Sequence, residues 1–234
     1  MQVRFASYNI RKAVGLDRRR DPERILSILR EIDADVVALQ EADRRLGRRE
    51  SVLPLAMISD HTHYRPVPLS MRPDSIGWHG NALLVKRGVE IISAAPVPLP
   101  VLEPRGAIRA DLVIEGRALR VVGMHLDLSG LRRRQQVRTV LAHLAQLEDG
   151  KPAVLLGDFN EWAQRGGCFR EFGAQWQLLS PGPSYHARRP VARLDRVIAS
   201  RDWGVEGTGV HHSALSARGS DHLPVWATLA LPKI

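Results

Sequence analysis

Cysteine is almost absent from the 234 residues: Cys168 stands alone, so no intrachain disulfide can form. No Cys/His cluster has the spacing of a structural zinc site. A reducing interior is the simpler expectation, and with it the cytoplasm. Long apolar runs are missing as well. The opening MQVRFASYNIRKAVG lacks the apolar core of a signal peptide, and no stretch nears the ~20 apolar residues of a membrane span. Lysine is scarce, with four of the 34 basic residues. The arginine excess gives a net charge of +9 and a pI near 10.7. That balance favours a polyanionic partner such as nucleic acid or an anionic membrane surface, although genome composition produces the same bias. Linkers, repeats and low-complexity stretches are missing too, which leaves residues 1–234 as one expected domain.

What is present reads as an ordinary folded α/β chain. Hydrophobic residues make up 44% and charged residues 25%, so neither disorder nor a fibrous structure is indicated. Short apolar runs at Val3 to Tyr8, Val36 to Leu39, Ala82 to Val85, Val121 to Met124, Ala153 to Leu156, Val197 to Ala199 and Val225 to Leu229 read as strands. Between residues 86 and 120 the pattern is strand-rich, with Pro96, Pro98, Pro100 and the Glu115-Gly116 turn as punctuation. Consecutive antiparallel strands are expected there. One helix opens at Asp21 with Pro22 in its first position and carries Ile25, Ile28, Leu29 and Ile32. A second opens at Ser129 and carries Val137, Val140, Leu141, Leu144 and Leu147.

Four apolar strands end in groups that bind metal or move protons: Asn9, Glu41, His125, and Asp158 with Asn160. If those strands share an edge, the polar ends converge. Burying carboxylates together is costly unless a cation or a tuned acid/base pair compensates them. Taken singly, each group has a plain reading. Glu41 alone is a solvated strand-end acid, Asn9 a turn side chain, Asp-Phe-Asn an Asx turn and His125 a packed histidine. Asp195 alone is a surface strand acid, and Asp221-His222 a cap or satisfied loop pair.

The segments SYNIR (7 to 11), ALQEAD (38 to 43), HGNALLVKR (79 to 87), GMHLD (123 to 127), LLGDFN (155 to 160), LDRVI (194 to 198) and SDHLPV (220 to 225), in this order, resemble the endonuclease/exonuclease/phosphatase superfamily, which includes deoxyribonuclease I. The resemblance covers the whole chain. It implies a four-layer α/β sandwich, two packed mixed β-sheets with helices on the outer faces. It implies Mg²⁺ or Mn²⁺ held mainly by Glu41, with Asn9 and Asp221 in the ligand shell. It further implies that Asp158 orients or deprotonates the attacking water, and that Asn160 contacts the phosphate. His222 would contact the phosphoryl oxygen or act as acid/base, paired with Asp195, and His125 would supply a proton or stabilise charge. Arg11 stands where the abasic-site endonucleases place a second acid, which points away from that branch. Asn81, with His79 and Arg105, lies in segments that flank the site.

Arg132, Arg133 and Arg134 fall in the first turn of the second helix, where positive charge opposes the macrodipole. Either they form a solvated face, or they meet a phosphate backbone beside His125. The reading that follows is a metal-dependent phosphoesterase, a monomer, acting on a phosphate ester with nucleic acid expected first. A phospholipid or small-molecule phosphodiesterase is the alternative, and a non-catalytic nucleic-acid-binding module the weaker one.

Overall fold

The computed structural model describes residues 1–44, 47, 49–69, 74–100, 105–147 and 149–232. In chain order the elements are β1 (Gln2–Asn9), α1 (Pro22–Ile32), β2 (Val36–Gln40), α2 (Leu55–His61), β3 (Tyr64–Pro66), β4 (Ala82–Lys86), β5 (Glu90–Val97), β6 (Gly106–Ile114), β7 (Arg117–His125), α3 (Gly130–Ala145), β8 (Ala153–Asp158), β9 (Trp176–Leu179), β10 (Asp195–Ser200), β11 (Gly204–Val210), α4 (Ser216–Gly219) and β12 (Val225–Ala230), with 3-10 turns at Arg11–Ala13 and Gly167–Glu171.

Each half is organised around one parallel strand pair joined by a helix. β1 and β2 are linked through α1 with Asn9 opposite Gln40; β7 and β8 are linked through α3 with His125 opposite Asp158. A parallel connection needs such a crossover, and the sequence punctuates α1 for it. Asp21 accepts from the Arg24 backbone N–H at 3.0 Å, and Asp33 closes the helix at φ 49°. Ile25, Leu26, Ile28, Leu29 and Ile32 are buried against the sheet, each side chain contributing ~1.5–3 kcal/mol of burial. α3 is less regular, because Arg133 and Gln136 share its buried face with Val137 and Val140. Leu147 lies beyond its end.

Antiparallel neighbours complete two six-stranded mixed sheets, ordered β11-β12-β1-β2-β4-β3 and β5-β6-β7-β8-β10-β9. Their inner faces pack together through Phe5, Ala38, Leu83, Ile108, Val121, Val154, Leu156, Val197 and Leu229. α1 covers the outside of the first sheet and α3 the outside of the second, giving four layers. The sheets leave no room for a side chain at Gly123, where an added Cβ would lie 3.1 Å from Leu83 Cδ2 and 3.3 Å from Ala38 Cβ. No helix among the described residues is long and apolar enough to cross a membrane.

Candidate functional site

The polar groups sit where their strands stop. Asn9 ends β1, Glu41 follows β2, His125 ends β7 and Asp158 ends β8. β10 and β12 run antiparallel to their neighbours, so Asp195 at the start of β10 pairs with Asp158, and Val225, just after Asp221-His222, pairs with Ser7. All of these groups therefore meet at one end of the sandwich. Asn9, Glu41, Asp221 and His222 come from one sheet; His125, Asp158, Asn160 and Asp195 come from the other.

Asp158 Oδ2 is the focus. It accepts from Asn9 Nδ2 at 3.0 Å and faces His125 Nε2 at 3.3 Å and His222 Nε2 at 3.7 Å. Oδ1 accepts from the Asn160 backbone N–H at 2.9 Å, so both oxygens are fixed. Asn160 itself is left-handed, φ 50°, and donates from Nδ2 to the Leu126 carbonyl at 2.9 Å. Behind His222, Asp195 Oδ2 accepts from Nδ1 at 2.8 Å and from the Ser184 hydroxyl, while Asp195 Oδ1 is buried without a hydrogen-bond partner. The Tyr185 ring lies 4.9 Å from the His222 ring. Arg105 reaches both ring nitrogens of His125, Nδ1 at 2.9 Å. A guanidinium only donates and a carboxylate only accepts, so this histidine stands between a donor and an acceptor.

Glu41 turns the chain off β2 at φ 55°, a conformation that costs an L-residue of order 1 kcal/mol and tends to mark functional positions. Its carboxylate bonds the Lys12 ammonium, and Arg11 Nε lies 3.4 Å from Asp221 Oδ2. Asn81 is buried beside this segment, where the Gly80 carbonyl accepts from Ala42 N at 2.8 Å; Asn81 Oδ1 has no hydrogen-bond partner.

The electrostatics follow from this packing. Burial would raise the Asp158 carboxyl, but the His222 charge and the His125 hydrogen bond hold it well below the usual carboxylate range. His222 shows the converse: burial would lower it, yet the Asp195 and Asp158 carboxylates on either side push it up to about 10. Glu41 would likewise rise on burial, but Lys12, His125 and Arg105 keep it below its ordinary value. At neutral pH the end of the sandwich thus holds an ionised Asp158 against an imidazolium at His222.

The arginine turn divides. Successive helical residues point ~100° apart, so three in a row cannot share a face. Arg133 is buried, pairs with Glu161 at 3.2 Å and donates to the Leu128 carbonyl at 2.6 Å. Arg134 pairs with Glu171 at 2.7 Å, and Arg138 binds the same carboxylate at 2.6 Å. Arg132 is half-buried. Lys12, Ser184 and Tyr185 were not anticipated, since a lysine after Arg11 and a Ser-Tyr in a loop carry no signal of their own. Arg105 stood among the flanking residues and touches His125. At the other end of the second sheet a cavity of about 630 Å³ is lined by Arg120, Asp149, Lys151 and Trp176. Its charges are already matched, Arg120 to Asp111 at 2.7 Å and to Asp149 at 2.6 Å, and it lies away from the histidines.

The sequence profile of the Endonuclease/Exonuclease/phosphatase family matches residues 6–222. Escherichia coli YbhP, described as uncharacterized, is 28% identical over 226 residues, covering 87% of this chain and 86% of its own. Among solved structures, D. rerio TDP2 complexed with single strand DNA product superimposes with a TM-score of 0.77 at 16% identity, over 98% of this chain and 99% of that one. The Bacteroides thetaiotaomicron mannosyl-6-phosphatase Bt3783 superimposes with 0.77 at 19% identity, over 98% and 100%. At these identities the likeness shows a shared two-sheet fold.

Proposed function

Because the chain belongs to the Endonuclease/Exonuclease/phosphatase family, we propose that it is a hydrolase of phosphodiester bonds that works with Mg²⁺ or Mn²⁺. The observation that carries this reading is the convergence of two histidines on the ionised Asp158, with Asp195 buried behind one of them.

The donor set fits a hard divalent ion. Glu41, Asp221 and Asn9 offer oxygens, and both acids already rest against cations of the chain, Lys12 and Arg11. Asp158, Asp195 and His222 also lie within 4.8 Å of one another. That trio is closed by its own hydrogen bonds and is the less open position, so Glu41, Asp221 and Asn9 are the residues that would hold the ion. When bound, the ion supplies a Lewis acid for the phosphoryl oxygens.

The chain's own groups provide the rest. Asp158, aimed by Asn9 and Asn160, orients the attacking water in line with the scissile bond. His222 donates its Nε2–H to the charge that builds on the phosphoryl group, and Asp195 holds the imidazolium in place. Asn160 keeps one amide hydrogen for a phosphoryl oxygen, since Leu126 takes the other. His125, steadied by Arg105, offers its ring N–H as a hydrogen bond where charge builds on the leaving oxygen.

On the substrate side the +9 charge fits a polyanion. Nucleic acid drew its separate support from the arginine turn, of which only Arg132 stays out of the described ion pairs. A phospholipid gains support from Leu128, Trp162 and Val191 on loops around the site and Leu131 at the start of α3, all four exposed. Hydrolysis of bis(p-nitrophenyl) phosphate tests the core claim: EDTA or Glu41→Gln should lower it about 100-fold or more, with the melting temperature of the variant close to wild type. Undiminished hydrolysis in excess EDTA would sink the metal claim.

A further inference from the structure

Four of the exposed large apolar side chains stand apart from the rest. Leu131 is 75% exposed, Val191 70%, Leu128 67% and Trp162 66%, whereas the remaining ones among the described residues reach at most 56%. Leu128, Trp162 and Val191 lie on loops around the histidines, and Leu131 lies in the first turn of α3 beside them. Leu128 and Leu131 follow His125, Trp162 follows Asn160, and Val191 donates its backbone N–H to the Tyr185 carbonyl at 2.8 Å. A single exposed leucine on a soluble protein needs no explanation; four clustered at the catalytic end do.

The mounting is firm. Arg133 binds the Leu128 carbonyl and Glu161 together, which clamps the first loop to the second. The Trp162 ring stands 6.4 Å from Tyr185, whose own ring stacks near His222. Three of the four side chains are aliphatic and have no π-face on which a base could stack. Leucine and valine enter an acyl boundary, and tryptophan settles at headgroup level. The same segments carry Arg165, Arg188 and Arg189, all exposed, and Arg132, half-buried. Of the acids on these loops, Glu161 is paired with Arg133, and Asp127 accepts from the Ser129 N–H at 2.8 Å. An apolar rim with exposed arginines on the same segments complements an anionic lipid surface.

We propose that the catalytic end of the sandwich docks on an anionic phospholipid bilayer, Leu128, Leu131, Trp162 and Val191 entering the headgroup boundary, so that the phosphodiester presented to Asp158 belongs to a lipid. This rests on the phosphodiesterase reading for its chemistry, but docking can be read separately. The full chain is sedimented in EDTA with phosphatidylcholine vesicles, with and without phosphatidylglycerol. Binding is expected with phosphatidylglycerol present. The triple variant Leu128→Ser, Leu131→Ser, Val191→Ser should weaken it roughly tenfold or more. Ile92→Ser with Val205→Ser, at the other end of the sandwich, should leave it unchanged. Unaltered melting temperatures exclude misfolding as the cause. With Mg²⁺ added, headgroup release from the vesicles supports the lipid assignment.

The docking claim is overturned if wild type does not sediment with the anionic vesicles, or if the triple serine variant sediments equally well. It is overturned equally if that variant loses affinity for a single-stranded oligonucleotide while neither protein binds vesicles, since the rim then serves nucleic acid. Failure to cleave bis(p-nitrophenyl) phosphate would instead defeat the phosphodiesterase reading and leave the vesicle result to judge the docking surface.

Discussion

Asp195 acts through a single oxygen. Oδ2 accepts from His222 Nδ1 and from the Ser184 hydroxyl, and Oδ1 has no hydrogen-bond partner among the described residues. An asparagine there offers an amide that can force the other histidine tautomer and removes the counter-charge of the imidazolium. Asp195→Asn should therefore lower kcat about 10³- to 10⁴-fold with KM nearly unchanged. Steady-state kinetics on bis(p-nitrophenyl) phosphate check this, and wild-type turnover with only a raised KM would refute the pairing. Positions such as Asp195, Asp158 and His125 stand out in the chain because each is a polar residue bounding an apolar strand run, although their roles come from the motif resemblance rather than from the residues taken singly. Their partners do not stand out. Ser184 meets Asp195 across a loop, Lys12 meets Glu41 across 29 positions, and Arg133 finds Glu161 28 residues away. Charge spacing along a helix shows that Arg133 and Arg134 are costly where they stand, but not which acids relieve them.

At the scale of elements, legibility followed burial. β1, β2, β7 and β8 are covered on both faces, so their apolar runs are continuous and announce themselves. β3, β9 and β11 lie at sheet edges, where one side needs no partner: β3 ends in Pro66, and β11 carries three glycines in GVEGTGV. α2 starts from Pro54 with no capping side chain, so neither periodicity nor a cap marks it. The tight packing of the sheets at Gly123 is equally silent in the sequence because a glycine inside a strand has several explanations. Gly123→Ala supplies a test of the packing. Its methyl would press on Leu83 and Ala38 at 3.1 and 3.3 Å, so it should destabilise by about 1–3 kcal/mol. Urea unfolding measures this, and an unchanged midpoint would mean that the sheets part more easily than their packing implies.

For the molecule as a whole, stability should carry the sign of its site. Asp158 and Glu41 sit below their ordinary values, so their contribution is present above the unfolded carboxylate range, ~4, and is lost as pH falls through the folded values. His222, raised to about 10, keeps a proton that the unfolded chain releases near ~6.5. Its contribution is complete below that lower value and disappears as pH rises through about 10. In EDTA the urea-unfolding free energy should decline from neutral pH towards that upper limit, and more gently in His222→Gln. Equal slopes would show that the imidazolium is not held as described. One consequence concerns how the two halves of the site are suspended. Asn9 to Asp158 and His222 to Asp195 are bonds between sheets, while every backbone ladder lies within one sheet. A sideways slip of about 1 Å would disturb those bonds and cost on the order of 10²-fold in rate, yet leave each ladder whole. Turnover is thus a caliper closed on the gap between the sheets, and it registers a movement to which far-ultraviolet circular dichroism is blind.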